Sequence, residues 1–200
     1  MGFFDALLGR SKPKAANLDA LFAVPQAALT LQAGVGMVPT GVGAVCYRAN
    51  EGAAFQTAQR DVQQLLDADG GPAVERSQDA YGFTWLICRQ PADALEDLVT
   101  ELHAVNTALQ DDGFGPSLLC SYVGFTDTDP DMNPDASGRG PRRLALVYLY
   151  KRGTFYPFAP TTGDQRDNQL ELQVRGAVDG DVPIEPDLTR WLALGGAPGL

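Results

Sequence analysis

Hydrophobic positions along this chain follow two periods, one helical and one alternating, and the switches between them mark out the elements. From Ala92 to Gln110 the spacing is helical: Leu95, Leu98, Val99, Leu102, Val105 and Leu109 share a face, and Gly113 follows as a stop. A second helix is expected over Gly52 to Ala68, where Phe55, Val62, Leu65 and Leu66 fall together ahead of Gly70-Gly71. Upstream, Asn17 is placed to cap a short helix reaching Val24, and Pro25 suits the first turn of another, Gln26 to Ala33. Near the end, Leu170, Leu172 and Val174 alternate like a strand, whereas Leu170, Val174 and Val178 keep helical spacing. The helix, with Asp167 as its cap, is the preferred reading.

Strands are expected at Thr40 to Arg48, Leu118 to Phe125 and Arg142 to Lys151. Ala73 to Gln78 and Gly82 to Arg89 read as a hairpin turning at Asp79 to Tyr81, and the nearly all-apolar run Phe83 to Cys88 calls for a central place in a sheet. Arg152-Gly153 can turn the 142–151 strand into Thr154 to Phe158. Between these lies Thr126 to Pro141, polar and rich in Pro and Gly, expected to be a mobile loop (126–141). The tail carries one apolar anchor pair, Leu188 and Trp191. Helices that interrupt hairpin-joined strands predict an α+β domain, a mixed or antiparallel sheet with helices packed on it. That domain would span 17–200, preceded by a short amphipathic, basic N-terminal segment and linker at 1–16.

Charge sharpens this division. The 200 residues carry a net charge of −10, and an acidic body repels phosphate backbones, which disfavours nucleic acid as a partner. Arg10, Lys12 and Lys14 nevertheless cluster beside the stripe Phe3, Phe4, Leu7 and Leu8. Such a segment can lie in a membrane interface and meet anionic headgroups, dock into a partner's groove, or pack on its own domain. Ala6 breaks the M-G-x-x-x-[ST] acylation pattern, so no lipid anchor is expected. No run reads as about 18 continuous apolar residues and no signal-peptide pattern opens the chain, which places it in the cytosol or peripherally at the inner face of the cell membrane. Scarce Lys and Ile beside abundant Ala, Gly, Pro, Asp and Arg suggest a GC-rich bacterial genome.

Reactive constellations are harder to find. Asp127, Asp129, Asp131, Asn133 and Asp135 alternate as a calcium loop would, but Met132 and Gly138 stand where an EF-hand loop needs Gly and Glu; a solvated surface loop is expected. His103 is the only histidine and lies on the 92–110 helix, away from any nucleophile motif, so a Ser-His-Asp or Cys-His site is not expected. Cys46, Cys88 and Cys120 form no CxxC pair and read as small core residues on strands. Gly34-Val-Gly36 and Gly41-Val-Gly43 lack phosphate-loop spacing and read as turn formers near the first strand. No catalytic, cofactor or metal site is therefore expected. Aromatic density peaks in one hairpin, Tyr148, Tyr150, Phe155, Tyr156 and Phe158, joined by Lys151 and Arg152. These rings would either pack into the core or form a protein-binding surface.

Met1 to Arg10, Pro39 to Tyr47, Gly113-Phe-Gly-Pro116, Leu144 to Pro160 and Asp187-Leu-Thr-Arg-Trp191 together resemble PspAB, the phage-shock-protein-A-associated protein B family of actinobacteria and relatives. The likeness runs over nearly the whole chain, least securely at Thr126 to Pro141. It implies a place in the envelope-stress response, beside a coiled-coil, membrane-remodelling partner, and it brings no catalytic residues. A non-enzymatic cytosolic adaptor is thus the leading expectation. The rivals are a small-molecule sensor or unrecognised enzyme, which would show a deep cavity with convergent polar groups, and a chaperone-like module for a membrane protease. In liposome flotation, the full-length chain should float with anionic vesicles and lose binding as salt rises, while a form lacking residues 1–14 stays at the bottom. Equal behaviour of the two forms removes the N-terminal membrane contact.

Overall fold

The structure is a computed structural model that describes residues 16–48, 64, 73–129, 140–162 and 165–200. The basic segment with Phe3, Phe4, Leu7, Leu8, Arg10, Lys12 and Lys14, the helix expected over Gly52 to Ala68, and 130–139 of the expected mobile loop lie outside the described residues.

The described strands are β1 (Met37–Arg48), β2 (Glu75–Gln78), β3 (Phe83–Arg89), β4 (Leu118–Asp127), β5 (Arg143–Leu149) and β6 (Thr154–Phe158). They form one sheet in the order β2-β3-β1-β4-β5-β6, with every neighbouring pair antiparallel. The fold is α+β as expected, with the antiparallel alternative realised. The long strands β1 and β4 hold the centre. β3 is an internal strand, buried and paired on both sides, between β1 and the four residues of the edge strand β2.

One face of the sheet carries α1 (Val24–Val35), α2 (Leu95–Leu109) and α3 (Asn168–Val178). The helices expected on either side of Val24 form a single run, because a 3₁₀ stretch, Leu18–Ala23, leads directly into α1 with Pro25 in its first turn. Asn17 precedes it but makes no side-chain cap; its carbonyl instead accepts from Ala20 N and from the Tyr148 hydroxyl at 2.8 Å. By length and composition Leu18–Val35 is long and apolar enough to cross a membrane, where the sequence pattern suggests two shorter helices. Its stripe Leu21, Val24, Ala27 and Leu31 is buried in the helix-face core, with Phe22 and Leu29 left outside.

α2 matches its expected face, with Leu98, Leu102, Val105 and Leu109 fully buried. Asn106 within that face donates to Leu102 O and to Ser121 Oγ, both at 2.8 Å, fastening α2 to β4 through two otherwise buried polar groups. The helix for 168–178 is also as expected: Asp167 accepts from Leu170 N at 3.0 Å and caps it. His103 is half-buried, its ring 4.9 Å from Phe22.

Three expectations need correction. Asp127, expected in a solvated loop, is 4% exposed because Arg142 grips it through Nη2 at 2.6 Å and backbone N at 2.7 Å. Arg142 also donates to Val35 O, so one guanidinium joins the ends of α1, β4 and β5. Leu188 does not pair with Trp191 as an anchor: it is 52% exposed while Trp191 is buried. Gly41 lies inside β1 rather than in a turn before it, at φ +77°, where Gln90 N donates to its carbonyl at 2.9 Å.

A Cβ on Gly41 would lie 2.1 Å from Gln90 O. Gly41→Ala should therefore destabilise the fold by at least about 2 kcal/mol, from the left-handed backbone and the collision together. Urea unfolding measures it.

Candidate functional site

The second face of the sheet alternates with the first. Ala44, Cys46, Trp85, Ile87, Cys120, Tyr122, Ala145 and Val147 point there, together with Tyr156 and Phe158. No described helix covers it; the C-terminal tail lies across part of it. Residues 183–185 follow the β6 edge, with Phe155 N donating to Pro183 O and Glu185 N to Phe155 O, each at 2.7 Å. Farther on, the Tyr156 hydroxyl donates to Leu192 O at 3.0 Å and the Tyr122 hydroxyl donates to Pro198 O.

Two buried carboxylates hold this tail. Glu171 on α3 accepts from Ala159 N and from Arg166 Nε at 2.8 Å, and Arg166 Nη1 reaches Trp191 O at 2.6 Å. The Phe158 ring lies under the same guanidinium, 5.4 Å from its carbon. Burial raises the Glu171 carboxyl above its ordinary range, with Arg166 opposing the shift. Glu185 has no exposed area; it accepts from Thr154 Oγ1 at 2.7 Å, Arg152 Nε at 3.1 Å and Asp187 N at 3.2 Å. Burial pushes its carboxyl up, but the hydrogen bonds from Arg152, Thr154 and Asp187 together outweigh that and hold it below the ordinary range. Trp191 Nε1 donates to Glu185 O and its ring stacks on Tyr156 at 6.0 Å.

Between tail and sheet lies a recess of about 960 Å³. Its apolar lining includes Trp85, Leu119, Leu149, Phe158, Leu194 and Leu200, with the thiols of Cys46 and Cys120 among them. Those cysteines are register partners on β1 and β4. The Cys46 thiol is pushed far up, first by its hydrogen bond with Cys120 and then by burial. Around the lining stand four cations, Arg48, Arg143, Lys151 and Arg152, and one carboxylate, Asp79. Asp79 is fully engaged: Tyr81 N and Phe83 N donate to Oδ1, and Trp85 Nε1 donates to Oδ2 at 2.9 Å. Arg48 stacks over Phe83 at 5.3 Å. Among the described residues no group of three His, Cys, Asp or Glu side chains could hold a metal ion.

The aromatic hairpin is split by this geometry. Tyr148 and Phe155 belong to the helix-face core, their rings 5.1 Å apart, and burial pushes the Tyr148 phenol up to about 12. Tyr150 is buried with its hydroxyl on Gln110 Oε1 at 2.6 Å. All three are buried in this fold, Tyr148 and Phe155 on the helix face of their strands and Tyr150 in the turn that follows β5. Tyr156, Phe158, Lys151 and Arg152 meet at the recess instead. Sequence reading missed Arg48, Asp79, Trp85, Leu119 and Arg143. The available signal was alternation: Arg48 falls two residues beyond Cys46, and Arg143 two before Ala145, on one face of their strands.

Fold and recess together define an α+β protein, an antiparallel sheet with helices on one face and a recess of about 960 Å³ on the other. The chain belongs to the PspAB family, PspA associated protein B, which it matches over residues 1–199. No curated protein and no solved structure matches it.

Glu185→Gln should cost about 1.5–3 kcal/mol at neutral pH, because three donors lose a charged acceptor. The folded carboxyl titrates below the unfolded one, so this stabilisation is complete above the ordinary carboxylate range and fades as pH falls through the lower folded value. Unfolding curves of wild type and variant should therefore converge in acid; a constant gap would mean that the carboxylate charge is not what stabilises the tail.

Proposed function

We propose that this chain is a non-enzymatic adaptor of the PspA-linked envelope-stress response, cytoplasmic and peripheral at the inner face of the cell membrane. Its family is that of a PspA-associated protein, which supports a PspA-like coiled-coil protein as the partner. The observation that favours binding over turnover is the state of the polar groups in the recess. Asp79 accepts hydrogen bonds from Tyr81 N, Phe83 N and Trp85 Nε1, and the hydrogen bond with Cys120 and burial push the Cys46 thiol up. Acid–base or nucleophilic chemistry needs a group able to exchange its proton or attack, and these have structural duties. In this reading Phe3, Phe4, Leu7 and Leu8, with Arg10, Lys12 and Lys14, touch the membrane or the same partner.

A small-molecule sensor is the second reading, favoured by the volume of the recess, which lies at the upper end of the roughly 300–1,000 Å³ usual for ligand pockets. The two are compatible, since an adaptor can report a bound ligand.

With purified components, the full-length chain should bind the PspA protein of the same cell. Replacing Phe3, Phe4, Leu7 and Leu8 together by Asp should abolish recruitment with the melting temperature unchanged. Absence of binding to PspA at physiological salt would end the adaptor reading. A large fall in melting temperature would instead assign those residues to the core.

A further inference from the structure

The recess is elongated. Arg143 opens β5 and Leu149 closes it, six residues apart, so the lining runs about 20 Å along the strand. At the Leu149 end stand three of the four cations, Arg48 at the end of β1 and Lys151 and Arg152 in the β5–β6 turn. Only β4 separates β1 from β5, so these strand ends are about 10 Å apart. Of the three, Arg152 shares its charge with Glu185 at 3.1 Å, and the carboxylate of Asp79 stands at the same end, bonded to N–H of Phe83, the register partner of Arg48. The chain as a whole carries −10, so a cationic mouth on an apolar hollow runs against its average charge. We infer that the recess is a binding site for a free single-chain amphiphile with an anionic head, of fatty-acid type, its tail along the sheet and its head between Arg48 and Lys151.

Chemistry separates this occupant from the obvious rivals. A peptide laid on the lining would bring N–H and C=O groups that need partners. The strands beneath, β1, β3, β4 and β5, are all paired on both sides and have no edge to offer. A neutral alkyl chain would leave the cations unanswered, and a cationic detergent would be repelled by them. An anionic head meets Arg48 and Lys151 while the alkyl chain covers Trp85, Leu149 and Leu194, whose burial supplies the main driving force. This assignment rests on the recess acting as a receptor, and holds whether or not the chain also engages PspA.

The test is calorimetric titration of the full chain with laurate, dodecanol and dodecyltrimethylammonium, each below its micellar concentration, with anionic vesicles as a further arm. Laurate should bind one to one, at least tenfold more tightly than either of the others. Arg48→Glu with Lys151→Glu should weaken it at least tenfold by reversing the mouth. Leu194→Trp, which fills the hollow and leaves the mouth intact, should do the same while circular dichroism remains native for both. Vesicles should bind no less well to Leu194→Trp than to wild type, which separates the recess from a bilayer contact. The assignment fails if laurate does not bind, if dodecanol or the cationic detergent binds equally, or if neither variant matters. Loss of PspA binding in Leu194→Trp without any laurate binding to the wild type also overturns it, making the recess a protein socket and leaving the adaptor role standing.

Discussion

The second face of this sheet depends on two buried carboxylates. Glu171 takes three hydrogen bonds from two donors, Ala159 N and Arg166 Nε, Glu185 collects Arg152, Thr154 and Asp187, and between them they fix β6, α3 and the tail in one arrangement. Removing one partner from such a buried set leaves an uncompensated charge and costs several kcal/mol, whereas replacing the whole set by apolar groups can be neutral. What the set contributes is therefore position more than stability. Arg166 carries that position outward, since the same guanidinium that meets Glu171 also holds Trp191 O. With Trp191 placed, the residues that follow are led over the sheet rather than away from it.

The hollow under the tail has a second cause in side-chain size. On this face the two central strands present Ala44, Cys46 and Cys120, and their neighbour β5 adds Ala145. Bulky groups surround them: Trp85 on β3, Tyr156 and Phe158 on β6, and Tyr122 on β4 itself, whose hydroxyl meets the tail at Pro198 O. Along the register row Trp85, Cys46, Cys120, Leu149, the two small cysteines lie between larger side chains and make a trough. On the helix face the same strands present Val45, Tyr47, Val123 and Phe125, which fill the space below α1 and α2. The sheet is thus packed tightly on one side and hollow on the other by a choice of residues at alternate positions.

Periodicity made most of the described elements legible. The six hydrophobic positions of the 95–109 helix, the Asp79–Tyr81 turn and the Asp167 cap can be read from neighbours in the chain, and local structure follows them closely. The trough could not be read that way. Its walls come from residues up to about 150 positions apart, from Cys46 to Leu200, which only strand order brings together. The single helical run from Leu18 to Val35 was hidden for another reason: Asn17 and Pro25 are both helix-start residues, and two starts suggest two helices. Asp127 was misplaced because an acidic residue beside a polar loop looks solvated until Arg142, fifteen positions on, is folded against it. Lys151 and Arg152 were singled out correctly as cations of a hairpin, yet their relation to Arg48 is a property of the sheet alone.

The route of the chain into the fold has a consequence of its own. Asn17 sits against the β5–β6 turn, its carbonyl bonded to Tyr148 and its Cβ beside Gly153, next to Lys151 and Arg152. Residues 1–15, whatever path they take, reach no more than about 50 Å from that turn. Under the proposed contact, a surface that held Phe3 or Leu8 would keep the hollow within that radius. Ligands shed from such a surface would meet the hollow at a raised effective concentration, set by chain length rather than by diffusion through the cell.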